Sequence, residues 1–274
     1  MKKFLAFLTL AVFLTLTVYG AQLSLKFNGG GTFLMGGDFN RGADGLRDYE
    51  KSVLGPGENF VDNLKKLGWG FQFDGELIYK FSSSFAAGIE IGYLSATVKS
   101  GFERDWHSYK ETLTPTLSAI PITLNINYFA PITEKIKFHA VAGAGACLSN
   151  LNYIYDIQAT SNPYSGTWKP DQKIVFGAKA GVGLELALAG NFALTFDVVG
   201  RYAEITGFKG AWSGIYNGVP KSGTGTLYYY KYDGTYPLVG IWETAPSGPH
   251  IQNLREAKFS LSGISALVGL RIYL

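Results

Sequence analysis

Apolar and polar residues alternate along eight stretches of the chain after residue 20, and the connections between these stretches are alternately long and short. Between Leu67 and Phe81, apolar or small side chains occupy the odd positions, and most even positions carry charged or amide side chains. This repeat of two predicts a strand with one apolar and one polar face. The connections run roughly 30, 3, 12, 6, 24, 3 and 48 residues, which is typical of an antiparallel barrel in a membrane. We therefore predict an all-β, up-and-down transmembrane β-barrel of eight strands, with long extracellular loops and short periplasmic turns.

The last long connection, 209–256, leaves a barrel of ten strands as an alternative. It contains Asp233-Gly234 between residues that favour strands, and this dipeptide is a strong hairpin signal. The hairpin either stands on the barrel rim or supplies two further membrane strands. Pro237 and the weak alternation around the turn favour the rim, so eight strands is the preferred interpretation.

The first 20 residues are typical of a secretory signal peptide. Lys2 and Lys3 precede an apolar run from Phe4 to Val18. Val18 and Gly20 then fit the small-residue positions that precede a signal-peptidase cleavage site. The run is shorter than the roughly 20 residues that a membrane-spanning helix requires. We predict a cleaved signal peptide at 1–20 and one barrel domain at 21–274, placed in the outer membrane of a diderm bacterium.

Composition agrees with this class and excludes others. Without Lys2 and Lys3 the chain has 22 basic and 21 acidic side chains, so nothing indicates a nucleic acid or an acidic partner. It contains 35 glycines and 15% aromatic residues, and no apolar run after the signal is long enough for a membrane helix. Cys147 is the only cysteine, which excludes an intrachain disulfide.

The chain ends in an alternating strand. Its apolar positions are Ala266, Val268, Leu270, Ile272 and Leu274. The strand resembles the C-terminal strand of bacterial outer-membrane barrels, which the barrel-assembly machinery reads as its signal, although those proteins usually end in Phe or Trp. Together with stretches 120–125 and 143–146, it makes residues 21–274 similar to the small outer-membrane β-barrel superfamily of OmpA-, OmpX- and OmpW-like proteins. That resemblance implies contact with outer-membrane lipid and lipopolysaccharide, carries no catalytic motif, and leads us to expect a monomer.

An eight-stranded barrel is just wide enough to be filled by its own side chains, so charges inside it are expected to pair. Counting from the tight turns places Glu76 opposite Glu90, and Lys179 beside Arg201. We predict that the acidic pair meets the basic pair across the lumen and closes it. Alternatively, the two glutamates share a proton as an acid/base pair. A second cluster nearer the periplasmic end is predicted to comprise Glu185, Asp197 and Arg271.

Candidate catalytic residues are few. His107, on a long loop, is the best candidate for a lipid A-modifying enzyme, but a polar loop tip is the favoured interpretation. His139 is expected to be a hydrogen-bonded residue of the lumen, and no His, Asp or Glu grouping has metal-ligand spacing. We therefore predict no enzyme activity, no cofactor and no metal.

The long loops are rich in aromatic residues. The candidates for a working surface are Trp106, Trp168, Trp212, Tyr229 and Trp242. Exposed aromatic side chains suit adhesion or glycan contact, and they equally suit packing of the loops into a cap. The sequence thus favours a structural or interaction protein, with an OmpW-like channel for small or apolar solutes and a lipid A-modifying enzyme as alternatives.

Overall fold

The computed structural model describes residues 22–105, 108–160 and 163–274, most of them in antiparallel strands. The predicted signal peptide lies outside these residues. The elements in chain order are β1 (Gln22–Leu34), α1 (Asp38–Ser52), β2 (Phe60–Asn63), β3 (Trp69–Lys80), β4 (Phe85–Thr97), β5 (Ser100–Arg104), β6 (Tyr109–Pro131), β7 (Ile136–Gln158), β8 (Tyr164–Pro170), β9 (Lys173–Ala187), β10 (Phe192–Tyr202), β11 (Glu204–Thr206), β12 (Lys209–Tyr216), β13 (Val219–Tyr232), β14 (Tyr236–Trp242), β15 (Ile251–Glu256), β16 (Lys258–Ser260) and β17 (Gly263–Tyr273).

Eight of the strands close into a barrel. The ring runs β1, β3, β4, β6, β7, β9, β10 and β17 and returns to β1, with every neighbouring pair antiparallel. A closed ring leaves no unpaired strand edge, which is the condition for β-structure in lipid. The prediction of an eight-stranded antiparallel barrel is therefore confirmed. Short turns follow β3, β6 and β9 on one side, and we call the opposite side, with the long connections, the outer side.

The two faces of the barrel differ in polarity. Apolar side chains on its outward face are exposed: Leu124 is 67% accessible and Ile264 is 59% accessible. Charged side chains on the inward face are buried, with Glu76 at 4% and Arg271 at 2%. Exposed apolar side chains around a closed barrel indicate a surface that faces lipid, not water.

The last barrel strand follows the predicted alternation. Ala266, Val268, Leu270 and Leu274 are exposed on the outward face, and Ile272 is half-buried. Ser265 and Arg271 point into the barrel and are buried. Recognition of this strand by the barrel-assembly machinery stays a prediction.

A second layer of β-structure stands on the outer side. β6 and β7 pair along nearly their whole lengths and extend above the barrel. There β7 pairs with β8, β8 with β12, and β12 with β13. Strand β13 pairs in turn with both β14 and β15. The Asp233-Gly234 turn joins β13 to β14, and both residues have the positive φ that this tight turn needs. The hairpin thus belongs to the outer sheet, and ten membrane strands are not formed.

Helix α1 packs against the outer sheet. A Cβ added to Gly45 would come 1.9 Å from the carbonyl oxygen of Pro237, so only glycine permits this approach. Asp38, at the start of the helix, accepts two hydrogen bonds from Arg255, at 2.5 and 2.8 Å. Among the described residues, no helix is long and apolar enough to cross a membrane.

Candidate functional site

One predicted contact across the lumen is present. Glu76 pairs directly with Glu90 on the neighbouring strand, and Lys179 pairs with Arg201 in the same way. The Lys179 ammonium forms an ion pair with the Glu90 carboxylate across the barrel. Glu76 instead accepts hydrogen bonds from the side-chain amides of Asn125 and Asn127, at 2.8 and 3.0 Å.

Arg201 does not make the contact that we expected. Its guanidinium donates to Gln72 Oε1 at 2.8 Å, to Thr32 Oγ1 at 3.3 Å and to the Leu261 carbonyl at 3.1 Å. The predicted meeting of both bases with both acids is therefore wrong for Arg201 and for Glu76, and it holds only for Lys179 and Glu90. The planar fork of donors on Arg201 fits several neutral acceptors at once, whereas the compact ammonium of Lys179 reaches a single carboxylate.

The second predicted cluster is divided into two. Glu185 binds Arg271 at 2.9 Å and Lys137 at 3.2 Å, and it accepts a hydrogen bond from the Tyr273 hydroxyl. Asp197 does not join this group.

Asp197 instead forms an ion pair with Lys26 at 2.6 Å and lies 2.6 Å from His139 Nε2. Sequence analysis placed His139 in the lumen but did not give it or Lys26 a partner. The tilt and stagger of barrel strands decide which inward side chains lie level with each other across the lumen, and spacing along one strand does not show this.

An apolar layer closes the outer end of the lumen. Its side chains come from several barrel strands and from the segments that fold over them, and each of the following is less than 5% accessible: Leu34, Phe39, Leu67, Leu94, Leu117, Leu151, Phe208, Phe259 and Leu261. Below this layer lie the ion pairs. The lumen thus contains buried apolar packing at one level and buried ion pairs at others.

Above the apolar layer lies a cavity of about 570 Å³. Helix α1 forms one wall, and the outer sheet forms the others. Aromatic and aliphatic side chains dominate its lining, including Tyr153, Tyr155, Tyr164, Trp212 and Leu46. Its size and lining are typical of a site for a small ligand.

The predicted loop aromatics have different positions. Trp168 is fully buried, and its indole N–H lies 3.2 Å from the Gly210 carbonyl and 3.3 Å from that of Gly225. Tyr229 is also buried, and the guanidinium carbon of Arg255 lies 4.3 Å from the centroid of its ring. Trp212 and Trp242 line the cavity, whereas Trp106 lies outside the described residues. An exposed aromatic surface is therefore wrong for Trp168 and Tyr229, which pack into a cap.

One acidic side chain on the cavity wall was missed by sequence analysis. Glu111, on the part of β6 above the barrel, accepts a 2.7 Å hydrogen bond from the Tyr109 hydroxyl. Burial raises the pKa of Glu111, and the negative charge of Glu50 raises it further. Residues 109–131 form one continuous strand, and extending the alternation backwards from Ile120 was the signal that could have located Glu111.

The closed ring, its apolar outer face and its polar interior define this protein as a transmembrane β-barrel of the outer-membrane type. No protein-family model and no curated protein matches the chain. The solved structures to which it is similar include three outer-membrane or surface proteins, each at most 11% identical. Because this likeness is distant, the ring of strand pairs alone carries the fold assignment.

Neisserial surface protein A is 9% identical with a TM-score of 0.38, and the match covers 92% of this chain and 98% of that one. A major outer membrane protein from Thermus thermophilus is 11% identical with a TM-score of 0.41, and the match covers 93% and 100%. The outer membrane protein OprG from Pseudomonas aeruginosa is 11% identical with a TM-score of 0.35, and the match covers 92% and 95%.

Proposed function

We propose that this protein resides in the outer membrane of a diderm bacterium and binds a small apolar ligand in its extracellular cavity. The observation that carries the proposal is the position of that cavity. It lies on the outer side of the apolar layer, and its volume of about 570 Å³ falls within the range of roughly 300–1,000 Å³ found for small-molecule sites. The cavity supports an interaction role on the extracellular side of the barrel.

The closed lumen favours binding over passage. The Lys179–Glu90 ion pair crosses the lumen, and the Arg271–Glu185 pair joins the two strands on either side of β10; both pairs bury their charged groups. Opening a pore would require the apolar layer to move and the ion pairs beneath it to separate. An OmpW-like channel through the lumen is therefore the weaker alternative. A lipid A-modifying activity centred on His107 remains a hypothesis, because that residue lies outside the described part of the chain.

We expect the purified protein to form no large, stable pore in planar lipid bilayers. The physical reason is the combination of the apolar layer and the ion pairs beneath it. Single-channel recording at neutral pH measures this directly, with a general porin as the positive control. A large and long-lived open state of the wild-type protein would contradict the closed lumen.

Partly filling the cavity should weaken ligand binding. Leu46 lines the cavity from helix α1, so Leu46→Trp adds an indole ring to the space that the ligand needs. We expect its affinity for a neutral aromatic probe, 2-phenylethanol, to fall about tenfold or more, which corresponds to about 1.4 kcal/mol. Isothermal titration calorimetry of protein in lipid nanodiscs, with empty nanodiscs subtracted, measures the affinity.

Asp48→Trp provides the matched control, because Asp48 is exposed on the same helix and does not line the cavity. This variant should bind the probe as the wild type does. If the two tryptophan variants had the same affinity, the probe would not be bound in the cavity.

A further inference from the structure

We propose that the ligand of this cavity is a small amphiphilic cation, with an apolar body and a protonated amine that binds the Glu111 carboxylate. The inference rests on the proposed function and adds the chemical class of the ligand. It follows from the charge of the cavity lining, from the contacts of Glu111, and from the aromatic rings that line the same cavity.

The charged side chains that line the cavity are all acidic. Among the described lining residues there are two carboxylates, Glu111 and Glu243, and no lysine, arginine or histidine. Glu111 is half-buried on the wall, whereas Glu243 is exposed near Trp242. An apolar cavity with only negative charges is complementary to a ligand that carries an apolar body and a positive charge.

Within the described chain, Glu111 makes no ion pair. Its hydrogen-bond partner is the neutral Tyr109 hydroxyl. The charged group that acts on it is Glu50, which repels it. Arg104, which would offer a positive charge, binds Glu50 at 2.8 Å and Glu58 at 3.2 Å. A partly buried carboxylate without a counter-ion is costly, so a bound ammonium group would lower the free energy of this carboxylate.

Aromatic rings complete the site. Tyr155 and Tyr164 stack with their ring centroids 4.8 Å apart, and their hydroxyls are hydrogen-bonded at 2.7 Å. The Trp212 and Tyr164 rings meet edge to face, with their centroids 6.5 Å apart. All three rings line the cavity. Tyrosine and tryptophan faces attract cations, and together with a carboxylate they form the usual recognition site for ammonium groups.

The test compares two probes of matched size, 2-phenylethylammonium and 2-phenylethanol, by calorimetry in zwitterionic nanodiscs. We expect the wild type to bind the ammonium about tenfold or more tightly than the alcohol, the range of a charge-assisted hydrogen bond. Glu111→Gln should remove this difference, and the variant should still bind the alcohol. Glu243→Gln, at the exposed rim, should largely keep the preference.

The preference should also depend on pH. Glu111 binds the ammonium only as a carboxylate, so lowering the pH through its raised pKa should weaken ammonium binding and leave alcohol binding unchanged. Other titratable groups near the cavity are Glu50, Arg104, Tyr109, Glu243 and the lining tyrosines Tyr153, Tyr155, Tyr164 and Tyr230. The pH effect should be absent in Glu111→Gln and present in Glu243→Gln.

The outcomes separate the two proposals. If the wild type binds neither probe, the proposed ligand-binding function is wrong. If it binds the alcohol as tightly as the ammonium, or if Glu111→Gln weakens both equally, the cavity binds ligands but Glu111 does not select a cation. Retained binding of the alcohol by Glu111→Gln shows that the variant is folded.

Discussion

Lys179→Met is expected to destabilise the barrel by about 3–5 kcal/mol, the usual cost of leaving one charge of a buried pair alone. Lys179 forms the ion pair that neutralises Glu90, and Glu90 lies directly opposite the second carboxylate, Glu76. Without the lysine, Glu90 keeps only long hydrogen bonds, at 3.4 Å from Asn125 and 3.5 Å from Thr123. Urea unfolding in lipid vesicles, extrapolated linearly to zero denaturant, measures the loss.

A double variant and a surface control make this test specific. Adding Glu90→Gln to Lys179→Met removes the unpaired charge, so most of the lost stability should return. Lys169→Met changes an exposed lysine on β8 and should alter stability by less than about 0.5 kcal/mol. If the double variant were no more stable than Lys179→Met, the ion pair would not account for the effect.

Ala144→Arg is expected to cost about 2–4 kcal/mol, because it places a charge near the middle of the lipid-facing surface. Ala144 is exposed on the outward face of β7, where its neighbours across the ladders are Leu124 and Ala178. The same unfolding measurement in vesicles gives its size, and heat-modifiable migration on gels reports whether the variant assembles.

Ala144→Leu is the matched control, since it enlarges the same side chain and keeps it apolar. It should assemble and unfold as the wild type does. Normal assembly and unchanged stability of Ala144→Arg would show that the assignment of the two barrel faces is inverted.

The barrel itself was predictable because its signals are local. Successive side chains of a strand point to opposite faces, so the alternation between Leu67 and Phe81 is sufficient to assign a strand and its faces. A tight turn also fixes the register of the two strands that it joins, and this is why Glu76 could be placed opposite Glu90 by counting. The same reasoning placed Lys179 beside Arg201.

The outer layer was less predictable, and helix α1 shows why. Within the first long connection, which separates β1 from β3, helix α1 spans Asp38–Ser52 and Phe60–Asn63 forms a strand. The helix contains Gly42 and Gly45, which are poor helix formers. Those glycines are needed where the helix approaches β14 most closely, and this packing exists only in the folded structure.

By itself, the sequence determined an eight-stranded barrel, the orientation of its two faces and the pairing of inward residues next to tight turns, because each of these depends on residues close together in the chain. Only the tertiary structure decided that Asp197 pairs with Lys26, that Trp168 is buried, and that Glu111 faces an apolar cavity. Those arrangements join residues far apart in sequence, and their geometry is set by strand tilt, barrel closure and the packing of loops that have no short repeat.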